Sequence, residues 1–472
     1  MRMSGHLGLD VGTTTVTAVV VDRAGQVVAK ATAANDAEIT RLEDKQAGRS
    51  EWDPTRILEI VRSVLTEAAL GVDGIEAIGV TGQMHGMLLV DDDVEPIGAF
   101  IGWQDQRAAE GSASAVAALQ QAADKVDPEG RVCRSKAGYL GATLHWLQLN
   151  GLLPKGARAT FLPDYVSAHL TNTLPVTDAT NAAGSGLFDV VSSSWHQPLL
   201  DQLGLSSDVL PQVVDSGVAA GFLADPWSGT GIDTGIPVSV SCGDNQASFL
   251  GSVRDPESSV LINVGTGGQV SVSASRADVG PGLEARSHVD GEYILVGAGL
   301  VGGRTYAWLR DFYLEVGKQL FGVAGDGEDV YARMTELAST SNTDSGGLLF
   351  EPLFTGTREE PQRRGKIEGI GSTNFGPAQL TRALMEGVIG QFRRLYQNAL
   401  DVGAGERSVL VGSGNGIRKN PVLREIAESQ FGSPMRTPVH TEEAAFGAAL
   451  QASVLSGMCE NLESARELIR YV

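Results

Sequence analysis

The chain has 472 residues, 42% hydrophobic and 20% charged, which is the balance of an ordinary globular protein. It is long for one core, so two domains of similar size are expected, here 1–251 and 252–472. The formal net charge of −21 argues against nucleic acid or an anionic membrane as partner, since both recruit clustered Lys and Arg. It leaves room for an anionic ligand held by backbone N–H groups and a metal ion.

The three cysteines, Cys133, Cys242 and Cys459, are scattered and lack CxxC spacing. That gives neither a disulfide framework nor a zinc site and fits a reducing cytosol. The opening residues run straight into an apolar strand, and no apolar stretch approaches membrane-spanning length. A cytoplasmic protein without membrane partners is expected.

In chain order, Leu7–Val11 and Ala18–Val21 read as two strands joined by the turn Gly12-Thr13-Thr14. Trp52-Asp53-Pro54 opens a helix with Ile57, Ile60, Val61, Val64 and Leu65 on one face. Ile75–Val80 is a buried strand that ends at Thr81-Gly82-Gln83-Met84-His85 and resumes at Met87. Gln83 and His85 are therefore polar groups at a strand end, where the ligand crevices of α/β sheets lie. Ile97–Ile101 leads into Trp103-Gln104-Asp105-Gln106-Arg107, an aromatic wall with a few fixed polar groups, which suits a polyol. Gly138-Tyr139-Leu140-Gly141 precedes a helix, and the stretches at Phe161–Tyr165 and Asp178–Ala183 read as further polar strand ends.

Pro237–Ser241 is an apolar run that breaks at Cys242-Gly243-Asp244-Asn245-Gln246-Ala247. A second strand, Val260–Val264, then enters Gly265-Thr266-Gly267-Gly268. A carboxylate directly after a strand, followed by a Gly/Thr turn, is how a chain sets a base beside a phosphate cradle. Asp10-Val11-Gly12-Thr13 repeats as Asn263-Val264-Gly265-Thr266, each between β-branched runs, which suggests a duplicated domain. Glycine lets the backbone come close to phosphate oxygens, and Thr hydroxyls and N–H groups donate to them.

Leu348–Leu353 is a strand running into the polar turn 355–361. Pro377 opens a helix with Leu380, Leu384, Val388, Phe392, Leu395 and Ala399 at spacings of three and four. Val409–Val411 runs into a Gly-rich loop, Gly412-Ser413-Gly414-Asn415-Gly416, ahead of Asn420-Pro421. The small residues of Ala444–Leu450 suit a helix packed tightly on a sheet.

Together these residues resemble the FGGY family of carbohydrate kinases over almost the whole chain. Gly365-Lys366-Ile367-Glu368-Gly369-Ile370, with Gln379-Leu380 and Ala383-Leu384-Met385-Glu386, is similar to the family's C-terminal signature in order and spacing. The N-terminal signature is only partly kept: Leu144, Trp146 and Leu147 stay, but Thr143 stands where a Lys is usual. Met84-His85 looks like the members that act on ketoses, where the glycerol-phosphorylating members carry Arg-Glu. Trp103-Gln104-Asp105, Gly243-Asp244, Gln246-Ala247-Ser248 and the 178–182 stretch are most similar to those phosphorylating sedoheptulose, with D-xylulose the next candidate.

The resemblance implies an α/β fold of two ribonuclease-H-like domains of the actin/hexokinase ATPase type, closing on ATP and sugar in a cleft between them. It implies transfer of the γ-phosphoryl group of ATP to a primary hydroxyl, with Asp244 as general base and Asp10 holding Mg²⁺. The turns at Gly12, Thr13, Thr14 and at Gly265, Thr266, Gly267 would cradle the phosphates. Gly412, Ser413, Gly414, Asn415 and Asn420 would face the adenosine. The sugar would lie against Trp103, with Gln83, Met84, His85, Asp105, Asp244, Asn245 and Gln246 around it. A homodimer is one expected state, with no interface residue singled out.

Overall fold

In the computed structural model, the described residues are 4–111, 114–323, 325, 327–341, 343–356, 360 and 362–472. Residues 357–359 and 361 of the expected polar turn lie outside them. The chain forms two compact units. Unit 1 comprises Met1–Arg254, Arg286–Tyr293 and Glu442–Arg470, and unit 2 comprises Asp255–Ala285, Ile294–Thr441 and Tyr471–Val472.

Unit 1 begins with the antiparallel strands β1 (Ser4–Val11), β2 (Thr15–Asp22) and β3 (Val27–Ala34). Helix α1 (Pro54–Ala69) starts where the Asp53 carboxylate accepts from the N–H groups of Thr55 and Arg56, with Pro54 in its first turn. Its expected face, from Ile57 to Leu65, is buried in one core with Leu7, Leu9 and Val11. Strand β4 (Gly74–Gly82) pairs parallel to β1, setting Thr81 opposite Asp10.

Helix α2 (Leu140–Leu149) and helix α3 (Leu162–Thr171) follow. Phe161–Tyr165, expected as a strand end, is the entry to α3, with Pro163 in the first turn. Then come β5 (Ala219–Phe222), β6 (Pro237–Ser239), β7 (Cys242–Gly243) and helix α4 (Asp244–Ser252). The run expected as one strand from Pro237 to Ser241 stops at Ser239, whose Oγ takes the Val80 N–H at 3.0 Å. Among the described residues the sheet order is β5–β6–β4–β1–β2–β3, with β7 also on β4. Asp244 thus leaves the C-terminal end of strands parallel to β1.

Unit 2 repeats the opening. Strands β8 (Ser259–Val264) and β9 (Gly267–Ala274) form its hairpin, followed by β10 (Glu284–Ser287) and β11 (Tyr293–Val301). Helices α5 (Gly303–Phe321), α6 (Gly327–Thr340) and α7 (Pro377–Asp401) come next. Strand β12 (Val409–Ser413), helices α8 (Gly414–Lys419) and α9 (Pro421–Phe431), and strand β13 (Met435–Arg436) complete it. The order is β10–β11–β9–β8–β12–β13 among the described residues.

Asn263 faces Gln269 across the hairpin and Ser413 across the parallel pair, as Asp10 faces Thr17 and Thr81. The repeat visible in the sequence is a repeat of register. The Gly-rich stretch is not an open loop. Gly412 and Ser413 finish β12, Gly414 turns at φ 82°, and α8 begins at once.

After β13 the chain returns to unit 1 as α10 (Glu443–Leu455) and α11 (Leu462–Arg466). The expected boundary near 251 is where unit 1 is first left, but the residues from Glu442 to Arg470 belong with 1–254 rather than with the second half. Sterics explain why. A Cβ on Gly8 would lie 1.8 Å from the Ala445 carbonyl oxygen, and one on Gly79 would lie 1.9 Å from that of Ala448. Glycines on the sheet and alanines on the helix let the two backbones touch.

Candidate active site

The end of β1 and the end of β4 bring one group of expected residues together in unit 1. Gly12 closes the β1–β2 hairpin through its N–H to Thr15 O at 3.0 Å, and Asn35 Nδ2 donates to Gly12 O at 3.0 Å. The Asn35 N–H holds Thr14 O at 2.8 Å. The Thr13 hydroxyl donates to Gln83 Oε1 at 3.1 Å and accepts from Trp103 Nε1 at 3.0 Å. Thr13, expected as a phosphate donor, therefore also ties the Gly12-Thr13-Thr14 turn to Gln83 and Trp103, two residues expected at the sugar.

Trp103 is 45% exposed, an unusual state for tryptophan that suits a stacking wall. Its backbone rests on Gly138, where a Cβ would lie 1.9 Å from Trp103 O. The next residue, Tyr139, stacks on His85 with ring centroids 4.1 Å apart and planes 7° apart. A carbonyl oxygen only accepts, so His85 Nδ1 donates to Gly184 O at 3.1 Å, which fixes the ring's orientation.

Asp105 is elsewhere. It is fully buried, and each carboxylate oxygen accepts two hydrogen bonds. Oδ1 takes Arg107 N at 2.9 Å and Nε at 2.8 Å; Oδ2 takes Ser50 N at 2.8 Å and Arg107 Nη2 at 2.9 Å. No lone pair is left for a sugar hydroxyl, so the expectation that Asp105 binds substrate is corrected. It anchors the turn that presents Trp103.

Asp244 is the first residue of α4, half-buried, where the helix dipole favours a carboxylate. Burial pushes its pKa up, opposed by the Asn245 N–H and by the Arg286 charge. The turn that carries it is held from behind. Asp178 accepts from Thr180 Oγ1 and Ser216 Oγ, each at 2.6 Å, and Thr180 Oγ1 takes the Gly243 N–H at 2.8 Å. Asp164, fully buried on α3, accepts from Asn181 Nδ2 and Ser241 Oγ, and burial raises its pKa well above the carboxylate range.

Gln246 is fully buried. Its Nε2 donates to Ser287 O at 3.1 Å, while Oε1 has no hydrogen-bond partner. Asn245 is half-buried beside it, its N–H donating to Asp244 Oδ1 at 2.7 Å. Sequence reasoning did not single out Arg286 or assign a role to Asp178, Thr180 or Tyr139. The 178–183 stretch showed as a polar strand end and Tyr139 as a residue ahead of a helix; Arg286 gave no local signal.

In unit 2, β8, α5, α6, α7 and α9 enclose a cavity of about 760 Å³ lined by Gly265, Thr266, Asn415 and Asn420, among others. The expected Gly267, Gly412, Ser413 and Gly414 are not in that lining. A Cβ on Gly412 would meet Met435 Sδ at 2.3 Å, so this glycine serves core packing. Asn420 caps α9 through Leu423 N at 3.0 Å while lining the cavity.

The sequence reading missed Gly302-Gly303-Arg304. Gly303 N donates to Gly265 O at 2.8 Å and Arg304 N to Thr266 O at 3.1 Å, fastening the start of α5 to the Gly/Thr turn. Their signal was a glycine pair between an apolar strand and an amphipathic helix. Tyr306 and Tyr331 stack at 5.6 Å on one wall, a flat aromatic surface with Thr335 beside it.

Asp10, one residue before the end of β1, has a buried Oδ1 with no hydrogen-bond partner. Burial, then the charges of Asp244 and Glu442, push its pKa up to about 8. Among the described residues no group of three or more His, Cys, Asp or Glu is preassembled for a metal. An orphaned carboxylate oxygen within range of the Asp244 and Glu442 charges nonetheless fits Mg²⁺, which takes few protein ligands and keeps much of its water.

Two α/β units, each with a Gly/Thr hairpin turn, and a strand-end carboxylate define an ATP-dependent phosphotransferase of the actin/hexokinase type. Residues 6–251 and 260–456 match the N-terminal and C-terminal domains of the FGGY family of carbohydrate kinases. The chain belongs to that family. It is 28% identical to sedoheptulokinase from Mus musculus, over 94% of this chain and 96% of that protein. It is equally, 28%, identical to glycerol kinase from Polaromonas naphthalenivorans (strain CJ2), over 99% and 94%. The solved xylulose kinase from Rhodospirillum rubrum has the same fold, with a TM-score of 0.85 at 24% identity, covering 99% of this chain and 93% of that one.

Proposed function

We propose that this carbohydrate kinase phosphorylates the terminal primary hydroxyl of a ketose, sedoheptulose first, giving sedoheptulose 7-phosphate. The observation that carries the reading is the acceptor wall of unit 1. His85, stacked on Tyr139, follows Gln83 and Met84, and a half-exposed Trp103 is tied to Gln83 through the Thr13 hydroxyl. Such a wall offers an aromatic face and polar groups to a polyhydroxylated chain without placing an Arg-Glu pair there. The relative from Mus musculus, aligned over nearly its whole length, supports the same substrate. D-Xylulose is the second reading, supported by the xylulose kinase from Lactococcus lactis, 25% identical over 98% of this chain.

A primary alcohol attacks phosphorus only if its proton leaves as the bond forms. Asp244 takes that proton. Its carboxylate is raised toward neutrality by burial, and therefore more basic than a surface one. The new bond joins the sugar oxygen to the γ-phosphorus, the β–γ bridging bond breaks, and ADP leaves with that electron pair. Gly12, Thr13 and Thr14 in unit 1, and Gly265 and Thr266 in unit 2, bind phosphate oxygens. Asn415 and Asn420 face the nucleoside. Asp10 would hold Mg²⁺, which neutralises phosphate charge when bound. The reaction is a cytoplasmic one.

Initial rates of ADP release with sedoheptulose, D-xylulose, D-ribulose, glycerol and gluconate test this. A kcat/KM for sedoheptulose about ten-fold above D-xylulose, roughly 1.4 kcal/mol at the transition state, is expected. A D-xylulose preference replaces the substrate and keeps the mechanism. In the same assay Asp244→Asn is expected to lose several orders of magnitude in kcat; a variant retaining a tenth of it would remove the base assignment.

A further inference from the structure

Two glycines press the start of α5 against the Gly/Thr turn of unit 2. A Cβ on Gly302 would lie 2.6 Å from Gly267 O, and one on Gly303 would lie 2.9 Å from Gly265 O. Only bare backbone fits that approach. The Gly303 N–H donates to Gly265 O at 2.8 Å, and the Arg304 N–H donates to Thr266 O at 3.1 Å. Arg304 is therefore the first residue of α5 to carry a side chain, and it stands in register with the turn.

That side chain lines the cavity with Gly265, Thr266, Asn415 and Asn420. Among the described residues, the charged members of the lining are Arg304 and Lys419, the last residue of α8, and no Asp or Glu joins them. Acidic residues outnumber basic ones by 57 to 36 in the chain, so a cavity with cations and no carboxylate runs against its composition. Among the described residues, no side-chain hydrogen bond or ion pair engages either cation. Arg304 is exposed at the cavity, so its charge costs little to maintain and its donors are open to a ligand.

We infer that Arg304 is a donor-site residue whose guanidinium binds a phosphate group of the nucleotide beside the Gly265-Thr266 turn. The inference rests on the reading of this cavity as the nucleotide site. The turn itself offers only neutral N–H and hydroxyl donors. A guanidinium adds a full positive charge and a planar fork that matches two phosphate oxygens at once. Lysine there would keep the charge and lose the fork.

The test is calorimetric binding of ADP and of adenosine, without Mg²⁺ so that no metal shares the phosphate charge, to wild type, R304M, R304K and A332W. R304M is expected to raise the Kd for ADP about ten-fold or more, the loss of one charge-assisted contact, with the Kd for adenosine within about two-fold. R304K should fall between wild type and R304M. An unchanged Kd for ADP in R304M overturns the inference. So does an equal rise for both ligands, the mark of a structural role. If R304M does not fold, R304K decides by the same comparison. Ala332 is exposed on α6 and lines the same cavity, so A332W fills it and should lose both ligands. If A332W binds both as wild type does, the nucleotide reading of the cavity falls and the Arg304 assignment with it. If A332W loses both while R304M binds ADP normally, the Arg304 inference alone falls.

Discussion

Asp10 shows what a proposed metal-holding residue costs the resting protein. Its carboxyl is raised to about 8 by burial and then by Asp244 and Glu442, whereas an unfolded Asp titrates near pH 3.9, to within about a unit. Between those values the native state holds a proton that the unfolded chain has lost. The stability this group supplies is complete below about pH 4 and falls as pH rises through about 8. Asp10→Asn should therefore flatten the fall in Tm between about pH 5 and 8 and be the more stable protein at pH 8 without Mg²⁺. Each kcal/mol relieved is worth about 2–4 °C. Millimolar Mg²⁺ should raise the wild-type Tm at pH 8 and leave Asp10→Asn unmoved. Equal Mg²⁺ shifts in both proteins would take the metal away from Asp10. Asp105 predicts the opposite behaviour. Three of its four bonds come from Arg107, 7% exposed, whose other carboxylate partner is Glu51. Asp105→Asn should cost about 3–5 kcal/mol in urea unfolding, the usual result of breaking a buried pair. A variant with normal stability and a raised sugar KM would put Asp105 back among the substrate ligands.

At the scale of elements, the site is assembled by helix α10, which carries none of its side chains. Gly447 on α10 meets α4 so closely that a Cβ there would lie 2.0 Å from Ala247 O. Gly251 on α4 would place one 2.1 Å from Glu443 O. The same helix lies on β1 at Gly8, two residues before Asp10. Gly447→Ala must separate α10 from the helix that bears Asp244, since backbone cannot yield as a side chain can. The expected cost is about 1–3 kcal/mol, with a fall in kcat as Asp244 shifts. Gly74→Ala, where a Cβ meets nothing within 4 Å, is the control. Equal stabilities would show that the crossing tolerates a methyl group. Why some of this was legible follows from range. The Ala444–Leu450 run announced a tightly packed helix because small residues leave a local mark. Its partners Gly8 and Gly79 did not, because a strand glycine reads the same whatever lies across from it. Asp105 misled for a related reason: a carboxylate near a tryptophan looks like a sugar ligand until the Arg two residues on is seen to fold back on it.

For the whole molecule, the duplicated hairpin was readable because Asp10-Val11-Gly12-Thr13 and Asn263-Val264-Gly265-Thr266 keep both sequence and register. The return of 286–293 and 442–470 to unit 1 was not, because long-range docking has no periodicity. The two units have separate cores, one around Leu9, Ile78 and Val166 and another around Ile262, Val388 and Phe392. Each also holds a separate set of proposed ligand contacts. Chains with two such cores often depart from two-state unfolding, and a ligand stabilises only what it binds, by about 2.7 kcal/mol at a hundred times its Kd. Of the six tryptophans, Trp308 alone belongs to unit 2. Fluorescence of Trp308→Phe therefore follows unit 1, and its difference from wild type follows unit 2. Adenosine, which lacks phosphates, should raise the Trp308 transition and leave that of the other five in place. The preferred sugar should do the reverse. If either ligand moves both transitions together, the units unfold as one block, and their interaction exceeds what two separate cores imply. If adenosine moves neither, the cavity lined by Asn415 and Asn420 is not the nucleoside site.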